Sequence, residues 1–523
     1  MKKFALSLCF GVMASAVQSA EMSNVNFVVV QKSNDSENTS SSIAVKDKAN
    51  EKNISSEIHS GPANTVVVAK KRSKSVFGID VLQDKNFSVI KNKNVALLTN
   101  VSGTNCDGDL TLNLFVDSKN CKLKTVLFPE HDGGFDAKVI DRLKAKNIKT
   151  YCTHTNEVRL PKAEWLKGVD ALVIDLQGMG MRYYTFYASA LYAMCACFQQ
   201  DVDVVVLDRP NPLGDYLGGP GLSADYFSFL GPIPSMPLFF PFTIGEFLTY
   251  AKHYGQDNGI VCRCEERKLQ SDIAFDKHVF KKGKLEVVKL PNSYHKKDTF
   301  LDLGIYNSAS NINMSPRIQN VSSIFEYAIL SMVNLVDSRS FDCMHSVQNL
   351  KDKDHHFKYF YFSGIDCKDL LKKIQKYSKA TKGCELKIVT VPTETGDCQC
   401  IEVDIKDFKQ TQPAYLGLVL LSIAQETVRN EDWEKFEKQY FNGKKSSREI
   451  KKLTDERQNL LRKYKWETHT PQMREFFFEH LGDKEFCNAL LEGKSIDVEK
   501  IYSRWVRESN AFYSRVKKYF LYR

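Results

Sequence analysis

The sequence lacks the short motifs that carry the commonest nucleotide and nucleophile chemistries. After its first strand-like run there is no Gly-x-Gly-x-x-Gly, and no complete Walker motif Gly-x-x-x-x-Gly-Lys-Ser/Thr occurs, so neither a dinucleotide nor a nucleoside triphosphate finds a phosphate cradle. No Gly-x-Ser-x-Gly elbow supports a serine hydrolase. Histidines at helical ligand spacing are absent, since His355 and His356 are adjacent, and neither a metal nor another cofactor is expected. The 73 basic and 63 acidic residues leave a net charge of +10 spread along the chain. Without a basic patch interleaved with aromatics this points away from nucleic acid and suits a protein working beside an anionic envelope.

Cysteine is plentiful but does not form a familiar framework. None of the 14 cysteines stands at Cys-x-x-Cys spacing, which excludes a zinc ribbon and a thioredoxin-type site. The Cys-x-Cys pairs Cys195/Cys197, Cys262/Cys264 and Cys398/Cys400 share a face on a strand and diverge on a helix. Most are expected to be small buried hydrophobes, and if Cys9 leaves with a leader, an odd number remains.

Residues 1–20 read as a secretory leader: Lys2 and Lys3, an apolar run from Phe4 to Val12, and the small residues Ala14 and Ala16. Export to the periplasm or medium is therefore expected. No later run reaches the length of a membrane span, so no stable membrane insertion is expected once the leader is removed. Residues 21–75, rich in Ser, Asn and Lys, read as a disordered polar linker. From residue 76 the chain has the apolar content for two domains.

Runs of strand length alternate with helical stretches: Val95 to Thr99, Leu123 to Phe128, Ile148 to Cys152, Ala171 to Leu176 and Val202 to Leu207, with a helix from Tyr183 to Gln199. Nearly continuous Val/Ile/Leu runs are what strands buried on both faces require. The expected fold is α/β: a Rossmann-like doubly wound parallel sheet over 76–300, then a smaller α+β domain over 301–523. That second part is read from helix Leu370 to Ser378, strands near Glu385 to Val391 and Cys400 to Ile405, helix Tyr415 to Thr427 and a charged helical end from Glu431.

Open parallel sheets bind ligands beyond the carboxyl ends of their strands. There the sequence has Asn100 and Ser102, then Glu130, His131 and Asp132, then Asp175 and Gln177, then Asp208, Arg209 and Asn211. Asp208 and Arg209 also suit an ion pair bracing the proline loop, Asn100 and Ser102 a turn, and Asp175 a cap. Glu130 differs, because a carboxyl just past a buried strand is positioned for proton transfer if burial raises its pKa; His131 beside it reads equally as a loop histidine.

At these strand ends the sequence resembles the exo-β-N-acetylmuramidases of the NamZ type, a glycoside hydrolase family formerly described as a domain of unknown function. The likeness is carried by Gly78-Ile79-Asp80, Leu97 to Asn100 with Ser102-Gly103, Pro129-Glu130-His131, Ile174 to Gln177 with Arg182 to Thr185, Leu207 to Gly214, Thr243 to Glu246, Gln399 to Asp407 and Tyr519 to Tyr522. The resemblance implies a Rossmann-like domain and a smaller α+β domain with the site between them. It implies a hydrolase releasing N-acetylmuramic acid from non-reducing ends of peptidoglycan-derived muramyl glycans. Glu130 matches the family's catalytic glutamate, with His131 and Asp175 as further catalytic candidates. Asn100, Gln177, Arg182, Tyr184, Asp208, Arg209 and Asn211 are candidates to bind the sugar, Arg182 or Arg209 meeting its lactyl carboxylate. Two departures stand out: Phe239-Phe240-Pro241 replaces an Arg-His-Gly segment, and Asn307 to Arg317 replaces a stretch with two glutamates. If either glutamate supplies a second carboxylate, the alternative is a catalytically impaired glycan-binding relative.

Overall fold

The computed structural model describes residues 76–130, 133–154, 159–263, 272–305, 318, 321–330, 332–333, 344–347, 350, 357–362, 365–394, 396–426, 478–491 and 495–523. The expected leader and linker, His131, Asp132, Cys264, Cys343, the segment 307–317 and the charged stretch from Thr427 to 477 lie outside the described residues.

Short apolar runs form the sheet that organises the molecule. Strands β1 (Asn94–Thr99), β2 (Lys122–Phe128), β3 (Lys149–Cys152), β4 (Ala171–Asp175) and β5 (Asp203–Leu207) are joined later in the chain by β10 (Leu285–Val288). Their spatial order is β10-β5-β4-β1-β2-β3, and every neighbouring pair is parallel. This is the doubly wound order of a Rossmann-like sheet, in which the direction of winding reverses between β1 and β4. Alternate residues of β1 enter two different cores: Val95 and Leu97 face one, Ala96 and Leu98 the other, and all are fully buried. The first core is closed by Leu112, Phe115 and Leu143 from helices Thr111–Asp117 and Ala137–Ala145. The second is closed by helices Phe186–Gln199 and Ile244–Asn258 and by Phe512 and Val516 near the chain's end. Burying a leucine such as Leu97 stabilises the fold by several kcal/mol, since truncation to alanine in such a core costs about 2 to 5 kcal/mol.

Between β5 and β10 lie two small antiparallel pairs, β6 (Gly218–Gly221) with β7 (Pro237–Phe239) and β8 (Ile260–Cys262) with β9 (Ile273–Phe275). A second, antiparallel sheet has the order β11-β12-β14-β13, built from β11 (Met344–Ser346), β12 (Tyr359–Phe362), β13 (Cys384–Thr393) and β14 (Gly396–Ile405). Helices Val321–Ile329, Cys367–Gln375 and 413–426 accompany it. Helix Val498–Val516 then packs against the loops of the first sheet, the Ser509 hydroxyl donating to the Gly219 carbonyl at 3.1 Å.

Among the described residues every cysteine is a free thiol, and Cys106, Cys121, Cys195, Cys197, Cys262, Cys367, Cys400 and Cys487 are buried. Burial pushes the Cys384 and Cys400 thiols up to about 12, so they remain protonated and unreactive. No described helix is long and apolar enough to cross a membrane.

Candidate functional site

The winding reverses between β1 and β4, and the polar strand-end residues converge at the carboxyl ends of these strands, where open parallel sheets bind ligands. Thr99 pairs in register with Asp175, so Asn100 and Gln177 emerge side by side. The Asn100 carbonyl oxygen Oδ1 accepts the Ser102 amide at 3.2 Å and the Ser102 hydroxyl at 2.5 Å, and the Gln177 amide donates to that hydroxyl at 3.4 Å. This turn fixes the other side of Asn100, whose Nδ2 donates to Oε1 of Glu130 at 3.3 Å. Glu130 is half-buried, two residues past β2, so its carboxylate is steadied by Asn100 while remaining partly exposed to solvent.

Tyr184 stands close to this carboxylate. Burial raises its hydroxyl well above the usual tyrosine range, and the charge of Glu130 adds to the shift, so the phenol stays protonated as a donor. The second sheet's helix Val321–Ile329 supplies Tyr327, whose ring lies 6.0 Å from that of Tyr183. Among the described residues the edge therefore carries one half-exposed carboxylate, an amide and several phenols, a set suited to a polyhydroxyl ligand.

The remaining sequence candidates hold the scaffold. Asp175 is fully buried and receives Arg209 on both oxygens, Nε at 2.5 Å and Nη2 at 3.0 Å. Arg209 also donates to the Thr104 carbonyl at 2.6 Å and lies 4.6 Å over the ring of Phe77. The expected pairing of Arg209 with its neighbour Asp208 is thus replaced by a bidentate pair across adjacent strands. Asp208 instead accepts the Tyr522 hydroxyl at 2.6 Å, the Thr243 hydroxyl at 2.7 Å and the Gly245 amide at 2.9 Å. Its pKa is pushed up to about 6, chiefly by burial, which these donors only partly offset. Asn211 donates to the carbonyls of Phe240 and Phe242 and accepts the Leu213 amide, tying the proline loop down. Gln177 gives its side-chain amide to the Gly178 and Pro210 carbonyls at 2.8 and 2.9 Å. Arg182 is buried and donates to the carbonyls of Glu479, His480 and Leu481, where desolvation pulls its pKa down to about 9.

A neighbouring buried cluster joins two segments that carry the family likeness, Thr243 to Glu246 and Tyr519 to Tyr522, to which the sequence assigns no role. Glu246 caps its own helix through the Thr243 amide, pairs with Lys296, and accepts the Leu521 amide at 2.9 Å. The chain's last residues are thereby stitched to the end of β5. Two further residues follow the strand-end rule at β3, His154 and Arg159, whose side chains meet each other. The same reading that singled out Glu130 identifies them once β3 is treated like its neighbours. Elsewhere, a cleft of about 410 Å³ lies between Gly221, Asp483, Arg504 and Glu508, and neither Asn100, Glu130, Gln177 nor Tyr184 lines it. Among the described residues no group of His, Cys, Asp and Glu is arranged to hold a metal ion.

Fold and edge together define an α/β protein with a polar, carboxylate-bearing edge at the switch point of a doubly wound sheet. The chain belongs to the NamZ family: residues 95–322 match the N-terminal model and residues 352–522 the C-terminal model of the exo-beta-N-acetylmuramidase NamZ. It is similar to the peptidoglycan beta-N-acetylmuramidase NamZ of Bacillus subtilis strain 168, with 34% identity over 182 residues. That alignment covers 34% of this chain and 44% of the relative, so it spans less than half of the relative's length. Two crystal structures of DUF1343 family proteins from Bacteroides fragilis share the fold. One has a TM-score of 0.63 at 21% identity, covering 87% of this chain and 100% of the other. The second has a TM-score of 0.51 at 19% identity, covering 86% and 99%.

Proposed function

We propose that this chain is an exported glycoside hydrolase that releases N-acetylmuramic acid from the non-reducing ends of peptidoglycan fragments, with Glu130 as its acid/base group. The observation that carries the reading is the position of Glu130 at the open end of β2, held by Asn100, in a chain of the NamZ family. Of the described strand-end carboxylates, Asp175 and Asp208 are buried and hydrogen-bonded within the protein, which leaves Glu130 as the one of these three able to reach a sugar.

Glycoside hydrolysis needs a proton delivered to the leaving oxygen and charge relief on the opposite face of the ring. Glu130 performs the first act and, once deprotonated, draws a proton from the incoming water. Tyr184 donates to a ring substituent beside it, while Asn100 keeps the carboxylate from rotating away. A second reading, a glycan-binding relative with impaired catalysis, is favoured by one observation: among the described residues, Asp175 and Asp208 are engaged within the protein and offer no second carboxylate at this edge.

Incubation with a chromogenic β-N-acetylmuramide and with muramyl-terminated peptidoglycan fragments separates the two. Release of N-acetylmuramic acid is expected. Saturable binding of the fragments with no release from either would reject the hydrolase in favour of the binding protein.

A further inference from the structure

We propose that Tyr327, together with Tyr184, forms a paired phenol subsite that holds the 2-acetamido group of the sugar bound at Glu130, an assignment that rests on the reading of the ligand as an N-acetylated muramyl glycan. An acetamido group presents a carbonyl oxygen that accepts two hydrogen bonds and a methyl that lies well against aromatic rings. A subsite that selects it therefore needs uncommitted donors set among rings. Four tyrosines gather around the turn before helix Phe186–Gln199, and they are of two kinds. Tyr183 gives its hydroxyl to the Met181 sulfur at 3.1 Å, and Tyr187 donates to the Phe242 carbonyl at 2.9 Å while accepting the Gly180 amide at 3.1 Å. Tyr184 and Tyr327 are half-buried, and their hydroxyls have no hydrogen-bond partner among the described residues. Neither hydroxyl is sealed from solvent as a buried unpaired group, so both are available to a ligand.

The two phenols come from different parts of the chain. Tyr184 sits in the turn that follows β4, and Tyr327 on helix Val321–Ile329 beside the second sheet. The Tyr327 ring is seated against Tyr183, with centroids 6.0 Å apart and planes at 64°, and against Phe357 at 4.7 Å. The Tyr184 ring lies 4.7 Å from Phe186. These contacts fix the direction of both hydroxyls and supply an apolar wall for the acetamido methyl. Burial raises the Tyr184 hydroxyl most, and Glu130 and then Tyr327 add to the shift, which places the three groups together. Burial raises Tyr327 as well, so both phenols stay neutral donors. A neutral acceptor suits them, because a second carboxylate here would meet the charge of Glu130 with no cation supplied by either tyrosine.

The test varies the acetamido and lactyl groups separately. The full chain is titrated with N-acetylmuramic acid, with N-acetylglucosamine, which keeps the acetamido group alone, and with 3-O-lactylglucose, which keeps the lactyl group and has a hydroxyl at position 2. Tyr327→Phe and Tyr184→Phe each delete only a hydroxyl. Each is expected to weaken both acetamido sugars about three- to tenfold, the scale of one neutral hydrogen bond, and to leave 3-O-lactylglucose unchanged. The double variant loses more than either single one while the thermal midpoint holds, and on a chromogenic β-N-acetylmuramide the loss enters KM rather than kcat. Equal losses on all three ligands, losses that follow the lactyl group, or a parent chain that binds 3-O-lactylglucose as tightly as N-acetylmuramic acid would each overturn the assignment. Acetamido-dependent binding that Tyr327→Phe weakens, in a parent chain that releases no sugar, would uphold this subsite while removing the hydrolase.

Discussion

At the end of β2 and at the ends of β4 and β5 the sheet carries the same kind of residue, a carboxylate just past a buried strand, yet the surroundings give them opposite work. Glu130 accepts the Asn100 amide on one oxygen and remains half-exposed. Asp175 and Asp208 are at most 1% exposed and hold two and three side-chain or backbone donors drawn from distant parts of the chain. A buried, fully bonded carboxylate cannot move to a substrate, while a partly wetted one can exchange protons with it. Position after a strand therefore marks where chemistry is possible, and burial decides which residue can perform it.

This contrast can be broken most severely at Asp175. Asp175→Ala leaves the Arg209 guanidinium buried without its carboxylate, and such losses cost about 3 to 5 kcal/mol. Denaturant unfolding should register that fall, and an unchanged midpoint would mean that the pair is not part of the scaffold. Asp208 comes next. Its folded-state pKa of about 6 exceeds the ordinary carboxylate value of 3.8, so the folded chain holds this proton more tightly than the unfolded one. The resulting stabilisation is complete below the ordinary carboxylate range and is lost as pH rises through about 6, a change of about 3 kcal/mol for a shift of about two pKa units. Subtracting the stability profile of Asp208→Asn from that of the parent between about pH 4 and pH 7 should isolate this slope. The smallest effect belongs to Asn100. Asn100→Ala removes a single amide from Glu130 and is expected to lower turnover about tenfold, with a stability loss of about 1 to 2 kcal/mol read from the thermal midpoint.

The sequence made the centre of the sheet legible and its margins less so, for physical reasons. Strands β1, β4 and β5 are buried on both faces over nearly their whole length and so appear as apolar runs, while β2 opens with the exposed Lys122 and Lys124 and is buried from Thr125 on. The edge strand β10, Leu285-Glu286-Val287-Val288, has only Val288 fully buried and reads like a loop with a charge in it. The helix expected from Tyr183 begins at Phe186, because the three residues before it form the turn that carries Tyr184 to the site. In the candidate site, Glu130 was legible because its role follows from local position. The partnership of Asp175 with Arg209 was not, since it joins residues 34 apart in sequence and depends on β4 and β5 being neighbours. The clamp of Glu246 on Leu521 spans 275 residues and leaves no periodic or local trace.

The most direct test of the central claim is Glu130→Gln, an isosteric change that keeps a partner for Asn100 while removing the proton-transferring group. Turnover of a chromogenic β-N-acetylmuramide should fall by about a hundred- to ten-thousandfold, the range for a lost general acid, while affinity for N-acetylmuramic acid and the thermal midpoint hold. A variant as active as the parent would contradict the assignment of the chemistry to the open end of β2.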